Sequence, residues 1–394
     1  MGSIEGTSHG AFTTLPREIL RLASNLDSQI ASHGRGATTS DIDTLEELPA
    51  DVNATRDEFI DKTQTAKRLA QGARGALWEL GFQFTDEMTL RAIHEFRLAE
   101  QVPLDGSATL GEIAQDSDLD AETVERILRH AMSSHIFSEA PGSPPGRVVH
   151  TAISRLLATG PDALSAVGMV VHDLAPIGTR LNDALRAQRH LPANERYEPT
   201  NAATALVFGE GASFFGVLAG DKERAARFGG GMRHFAHGAA WDVKHLLTAY
   251  DWSSVDHSGA VLVDVGGGIG AVPRALVDAT QHLGYIVQDL PDTVADGVDA
   301  LPPSLSSRVA FEAHNFFDPQ ERRGVDVYFL RWVLHNWSDN NMDLVMLAAW
   351  NSAERTEAMW KVLIEMADPR LRFEGVRQLE GSLLSIVEAV WEEP

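Results

Sequence analysis

The stretch from Val261 to Gly270, VLVDVGGGIG, holds the residue pattern richest in chemistry. Three apolar residues suited to a buried strand, Val261, Leu262 and Val263, run into a carboxylate, Asp264. Glycines then occupy alternate positions, Gly266, Gly268 and Gly270, with Gly267 inside the run. A second strand pattern, Tyr285 to Val287, leads to another carboxylate, Asp289, nineteen residues beyond Gly270. Glycines let the backbone turn tightly and approach a ligand, and a carboxylate at a strand end accepts hydrogen bonds from ribose hydroxyls. With a helix expected over 271–280, this is how an α/β sheet holds an adenosine group.

The glycine spacing separates two kinds of nucleotide site. The NAD fingerprint places its third glycine three residues after the second. Here the run is Gly-x-Gly-x-Gly with Asp264 just ahead of it. It resembles motif I of the class I S-adenosylmethionine (SAM) methyltransferases, whose ligand carries no pyrophosphate and needs no helix N-terminus aimed at one.

A second segment follows the strand pattern DVYFLRWV: Leu334-His335-Asn336-Trp337-Ser338-Asp339. The carboxyl end of a strand in an open α/β sheet is where ligands bind. A neutral imidazole there can take up a proton near pH 7, which makes His335 the candidate general base. The chain has fifteen histidines, and His234, His237, His257 and His314 keep a structural reading, though His234 and His237 could border a pocket. No spacing of His or carboxylates suggests a metal site, and none is needed for this chemistry.

These residues need a scaffold. From Gly259 onward strand and helix patterns alternate, which predicts a parallel doubly wound sheet. Strands are expected at 260–265, 284–288, 308–311 and 325–330, and a C-terminal hairpin at 371–378 and 383–391. Ahead of this, 14–32 shows helical spacing, 33–53 reads as a mobile linker, and helices are expected at 54–80 and 87–100. Leu110–Gln115, a turn, and Ala121–Ser133 capped by Asp120 read as helix-turn-helix. A hairpin over 134–150 and a short helix over 151–158 complete a winged helix. The second helix balances acidic and basic residues, so DNA reading is disfavoured against a packing and dimerisation role. Residues 161–250 read as helical, with the apolar stretches FGEGASFFGVLAG and RFGGGMRHFAHGAAW suited either to core or to a hydrophobic pocket.

Composition narrows the function classes. The 394 residues suffice for two domains, at 44% hydrophobic and 23% charged. A net charge of −23 argues against nucleic acid and against an anionic membrane surface. The chain has no cysteine, which removes disulfides and thiolate chemistry. No apolar run approaches the ~20 residues of a membrane-spanning helix. The start, MGSIEGTSHG, shows neither a signal-peptide core nor the Ser or Thr that myristoylation needs at position 6. A cytoplasmic protein is expected.

Several motifs in order, LVDVGGGIG, QDLP, HNFFDPQ, FLRWVLHNWSD, NSAERT and EGSLLSIVEAVW, are similar to those of plant- and fungal-type small-molecule O-methyltransferases of the caffeate, flavonoid and polyketide family. The likeness runs from about residue 54 to the end. It implies a Rossmann-like SAM domain with a C-terminal antiparallel hairpin, preceded by an all-α, winged-helix dimerisation domain. The expected division is an N-terminal helix and linker (1–53), the winged-helix domain (54–160), a helical connector and substrate pocket (161–250) and the SAM domain (251–394).

It also implies roles. Asp264, Gly266, Gly267, Gly268 and Gly270 would hold the methionine and ribose parts of SAM. Asp289, with Leu290, would take the ribose hydroxyls. Asn315 and Phe316 would flank the adenine, and Arg331 would lie close by. His335 would deprotonate a hydroxyl of a phenolic or polyketide-like substrate, oriented by Glu354. Met232, Phe235, Trp332 and Asn336 would contact that substrate, and the winged helix would pair two chains as a homodimer.

Three features depart from the family. Asn315 and Asn336 stand where relatives commonly carry Asp. More substantially, a helix and a strand, with a second base-orienting glutamate, have no counterpart after Asn341. Two further readings therefore stand beside methyl transfer: a methyltransferase-like protein that uses SAM without transferring its methyl, as a dehydratase or pericyclase, and an inactive family member.

Overall fold

The computed structural model describes residues 11–39, 42–43, 48–142, 144–192, 195–236, 241–334, 344–352, 355–378, 382 and 384–392. Two compact units divide the chain, Met1–Asp173 with Glu223–Ala239, and Leu174–Lys222 with Ala240–Pro394. The segment 161–250 is thus shared between them.

The first unit begins with α1 (Ala11–Ser32) packed on α2 (Ala50–Phe82). Ile30, Leu48 and Val52 are buried together beside Leu26. The expected mobile linker over 33–53 is therefore corrected at its end: Leu48 and Val52 are core residues, and the helix begins at Ala50, because burying two aliphatic side chains offsets the entropy of ordering that stretch. Gly72 interrupts α2 with φ 65° and ψ 168°, a conformation open to glycine and costly for other residues.

Helix α3 (Phe84–Glu95) leads into the winged helix: β1 (Ala108–Thr109), α4 (Leu110–Gln115), α5 (Ala121–Ser133), β2 (Phe137–Glu139), β3 (Arg147–His150) and α6 (Ala152–Thr159). The sheet order is β1-β3-β2, antiparallel throughout. Asp120 caps α5 by accepting the Thr123 N–H at 2.9 Å, as the sequence predicts. Val124, Leu128 and Ala131 line the inner stripe of α5 at helical spacing and meet Ile93, Phe137 and Val148 in one core.

Helix α7 (Pro161–Gly168) continues into a π-helical turn, Met169–Leu174. Helices α8 (Ala175–Thr179), α9 (Leu181–Gln188), α10 (Ala203–Phe208) and α11 (Phe214–Gly220) follow in the second unit, and α12 (Lys222–Ala236) returns to the first. There, Asp173 is 1% exposed and is held by Arg224 and by Arg227, whose Nε lies 3.0 Å from Asp173 Oδ2. A buried charge needs such partners.

The second unit continues through α13 (Leu246–Ala249), β4 (Val261–Val265), α14 (Ala271–Leu276), β5 (Gly284–Asp289), α15 (Pro291–Asp299), β6 (Val309–Ala313), β7 (Val327–Phe329), α16 (Leu344–Trp350), α17 (Glu357–Ala367), β8 (Leu371–Gln378) and β9 (Ser385–Trp391). The four strands β6-β5-β4-β7 are parallel. A continuous apolar run suits β4 because a parallel strand is covered on both faces; Leu262 and Val263 are fully buried. Strands β8 and β9 form their own antiparallel pair. Among the described residues this hairpin does not pair with β7, which has β4 alone as neighbour. The point after Asn341 where a helix and strand are expected to be missing lies outside the described residues; from Leu344 the chain is helical, in α16. Asn351, 3% exposed, ends that helix in the left-handed region at φ 55°. Its Oδ1 accepts Gln188 Nε2 at 2.8 Å and its Nδ2 donates to the Glu198 carbonyl at 2.8 Å.

Candidate functional site

The glycine loop lies between β4 and α14, at the carboxyl ends of the parallel strands. Gly266, Gly268 and Gly270 all have positive φ, 69°, 58° and 80°, so the alternate glycines mark the left-handed positions. The loop is tied to β5. The Gly266 and Gly267 amides donate to the Gln288 carbonyl at 2.8 and 3.2 Å. The Gly268 amide donates to Asp289 Oδ2 at 2.9 Å. Asp289 Oδ1 accepts the Leu290 amide at 2.8 Å.

Asp264 is 1% exposed. Among the described residues neither of its carboxylate oxygens has a hydrogen-bond partner. Burial, reinforced by the neighbouring Asp289, pushes its carboxyl up to about 7, against a smaller opposing pull from Arg331. Buried, unmatched carboxylates are costly and concentrate at functional sites. Gly267 makes room for it: a Cβ there would stand 2.5 Å from Asp264 Oδ2 and 2.8 Å from Val287 Cγ1. Gly266 is equally confined, since a Cβ would meet Val333 Cγ2 at 2.8 Å.

Arg331 follows β7. Its guanidinium donates to the Trp241 carbonyl and lies 4.0 Å from the Trp332 ring centroid. Burial lowers its pKa, opposed by Asp264 and Asp242. Trp332 takes a left-handed φ of 57° and packs against Trp241 at 6.1 Å between ring centroids. A non-glycine residue there is strained, and such strain clusters at functional sites.

The structure brings Asp264, the four glycines and Asp289 together, with Arg331 close enough to influence Asp264. At the end of β6, the His314 amide donates to the Asp289 carbonyl at 2.9 Å. Asn315 and Phe316 follow and are exposed. Asn315 lines an open cavity of about 700 Å³ with Glu312, His314, Asp318, Gln320 and Arg323. Leu290 is 52% exposed. Met232 and Phe235 lie on α12 in the other unit, half-buried and exposed. His335, Asn336 and Glu354 lie outside the described residues. Sequence reading overlooked Gln288, Trp241 and Val333. Gln288 and Trp241 act through backbone carbonyls that side-chain motifs do not show, and Val333 is an ordinary aliphatic in a strand-end motif.

A parallel sheet of this order, a left-handed glycine loop over a buried carboxylate and a second carboxylate at the next strand end define an adenosine-binding α/β domain, here joined to a winged helix. An O-methyltransferase domain profile matches residues 189–367 and an O-methyltransferase dimerisation domain profile matches 78–160. O-methyltransferase pgmB of Aspergillus terreus is 30% identical over 388 residues, covering 87% of this chain and 86% of that protein. Chlorophenol O-methyltransferase of Trichoderma longibrachiatum is 28% identical, covering 98% and 92%. That alignment runs to 436 positions, longer than this chain, so the relative carries residues without a counterpart here. The solved structure of OxaC in complex with S-adenosylhomocysteine and oxaline shares the fold with a TM-score of 0.73 at 19% identity, over 96% of this chain and 100% of that one. The chain belongs to the plant-type class I family of SAM-dependent O-methyltransferases, alongside relatives from fungal secondary metabolism.

Proposed function

We propose that the chain binds SAM and methylates a hydroxyl of a phenolic or polyketide-like small molecule as a homodimer. The observation that carries the cofactor reading is the buried Asp264 carboxylate, unpartnered among the described residues, with Gly267 placed where a Cβ would meet it. An amine-bearing ligand supplies the donors and the positive charge that such a carboxylate lacks. SAM fits on both counts. Asp264 and Gly266 to Gly270 would hold its methionine part and ribose, Asp289 and Leu290 the ribose edge, Asn315 and Phe316 the adenine, with Arg331 close by. When bound, SAM supplies an electrophilic methyl group on sulfonium.

The chain's own tasks are alignment and removal of one proton. His335 would accept the proton of the substrate hydroxyl on its imidazole, oriented by Glu354. Met232, Phe235, Trp332 and Asn336 would contact the substrate. The match of residues 78–160 to a dimerisation domain supports the homodimer.

Calorimetric titration with SAM and S-adenosylhomocysteine tests the cofactor site, and transfer of labelled methyl from SAM to a panel of phenols tests the reaction. Micromolar binding and labelled product are expected. No binding of either compound would overturn the proposal. Asn336 and the absent base-orienting segment favour a second reading, SAM binding with other chemistry. Product formed without SAM consumption would select it.

A further inference from the structure

The loop that follows β6 is tied to the end of β5 twice. At its start the His314 amide donates to the Asp289 carbonyl at 2.9 Å. At its finish Gln320 pairs with Gln288, the residue before Asp289. Gln320 Nε2 donates to Gln288 Oε1 at 2.8 Å, and Gln288 Nε2 donates to Gln320 Oε1 at 3.1 Å. Gln288 is 1% exposed, so this reciprocal amide pair works away from water, where an unmade hydrogen bond is costly. Arg322 Nε, bonded to Glu312 Oε2 at 3.0 Å, joins the far side of the loop back to β6.

Within this held loop Asn315 closes a turn on itself. Its backbone carbonyl accepts the Asp318 amide at 2.8 Å. Its side-chain Oδ1 accepts the Phe317 amide at 3.2 Å. The second bond fixes the direction of the carboxamide, because only its oxygen can accept a backbone N–H and the reversed group would set two donors against each other. Oδ1 is therefore turned to the loop's own backbone. The other end of the group is Nδ2, which donates and cannot accept. Asn315 is exposed, so that end is open to a ligand.

That polarity decides which part of a purine can be recognised. Strand β6 is the neighbour of β5 in the sheet, so a nucleoside whose ribose meets Asp289 lays its base toward Asn315. The adenine of a nucleoside has one hydrogen-bond-donating group, the amine at position 6, and its ring nitrogens accept. Nδ2 cannot pair with that amine; it pairs with an acceptor. We propose that Asn315 reads the base by donating from Nδ2 to an acceptor on its edge and leaves the 6-amino group unread, so that the site takes a 6-oxo purine about as readily as adenine. The proposal rests on the SAM-binding reading above and adds the base specificity of that site. An acceptor-only side chain at 315 would reverse the preference: a carboxylate can bind the amine and is repelled by a carbonyl oxygen.

The test is calorimetric titration of the full chain with S-adenosylhomocysteine and with S-inosylhomocysteine, its deaminated analogue with a carbonyl at position 6, for wild type and for Asn315→Asp. The variant keeps an oxygen for the Phe317 amide at an exposed position, so the loop should keep its turn, and circular dichroism checks the fold. The quantity read is the preference for the adenosyl compound, the ratio of the two dissociation constants. General damage to the loop weakens both ligands alike and cancels in that ratio. So does the added charge at long range, because the two ligands carry the same net charge. The preference is expected to be at least about fivefold greater in Asn315→Asp than in wild type, the scale of one hydrogen bond made and one repulsion added. A smaller rise, with both compounds bound by wild type, overturns the proposal and leaves the cofactor reading standing. Binding of neither compound by wild type overturns both.

Discussion

Gly267 stands over the carboxylate of Asp264 so closely that a single added carbon would come within 2.5 Å of Oδ2. The loop and the buried acid are therefore one device, and the residue type at 267 is set by contact rather than by backbone dihedral. Gly267→Ala should cost roughly 1–3 kcal/mol of stability by overpacking and weaken SAM binding. Denaturant melts and calorimetry check this. Wild-type affinity and stability in the variant would show that the loop yields without penalty.

The raised pKa of Asp264 gives a pH dependence with a definite sign. Its folded value, about 7, lies above its ordinary value of 3.8. Stability relative to an Asp264→Asn variant is fully present below about pH 4 and is lost as pH rises through 7, by about 4 kcal/mol in all. SAM affinity should run the other way. It should rise about tenfold per pH unit up to 7 and level off above, because the cationic ligand selects the ionised acid. A flat affinity profile between pH 5.5 and 8 would remove Asp264 from ligand binding.

Asp289 accepts two backbone amides, from Gly268 and Leu290, and joins the glycine loop to β5. Asp289→Ala should weaken SAM binding by roughly 1–3 kcal/mol, the contribution of hydrogen bonds to a charged acceptor. Equal affinity in wild type and variant contradicts the ribose assignment.

His335→Ala should leave SAM affinity unchanged and reduce methyl transfer by roughly 10²–10⁴-fold, the usual contribution of a positioned general base. Turnover equal to wild type would take His335 out of the mechanism.

Asp173 is buried beneath Arg224 and Arg227. Asp173→Ala leaves the two guanidiniums without their shared acceptor and should destabilise the first unit by about 3–5 kcal/mol. The denaturant midpoint reads this directly. A shift below about 1 kcal/mol would mean that the arginines find other partners.

Much of the site was legible because it follows from local rules. Alternation of buried strand and glycine turn announced β4 and its loop, and the positive φ at Gly266, Gly268 and Gly270 matches the alternate spacing. Asp120 announced the start of α5 in the same way. Other features were hidden for an equally physical reason. Leu48 and Val52 sit in a polar stretch, and only their packing on α1 shows them to be core. The break at Gly72 was lost in a long helical pattern, since a lone glycine inside such a pattern also occurs in unbroken helices.

By itself the sequence determined the α/β class, the adenosine-binding motif and the winged helix, because residue spacing along one chain encodes strand, turn and helix periodicity. Tertiary structure alone decided that Asp264 is buried without a partner among the described residues, that Gly267 rather than its left-handed neighbours confines it, and that Arg331 is held by the Trp241 carbonyl. It also decided that, among the described residues, the C-terminal hairpin does not pair with β7. These are relations between residues brought together by the fold, and desolvation, close contact and strand pairing act through space rather than along the chain.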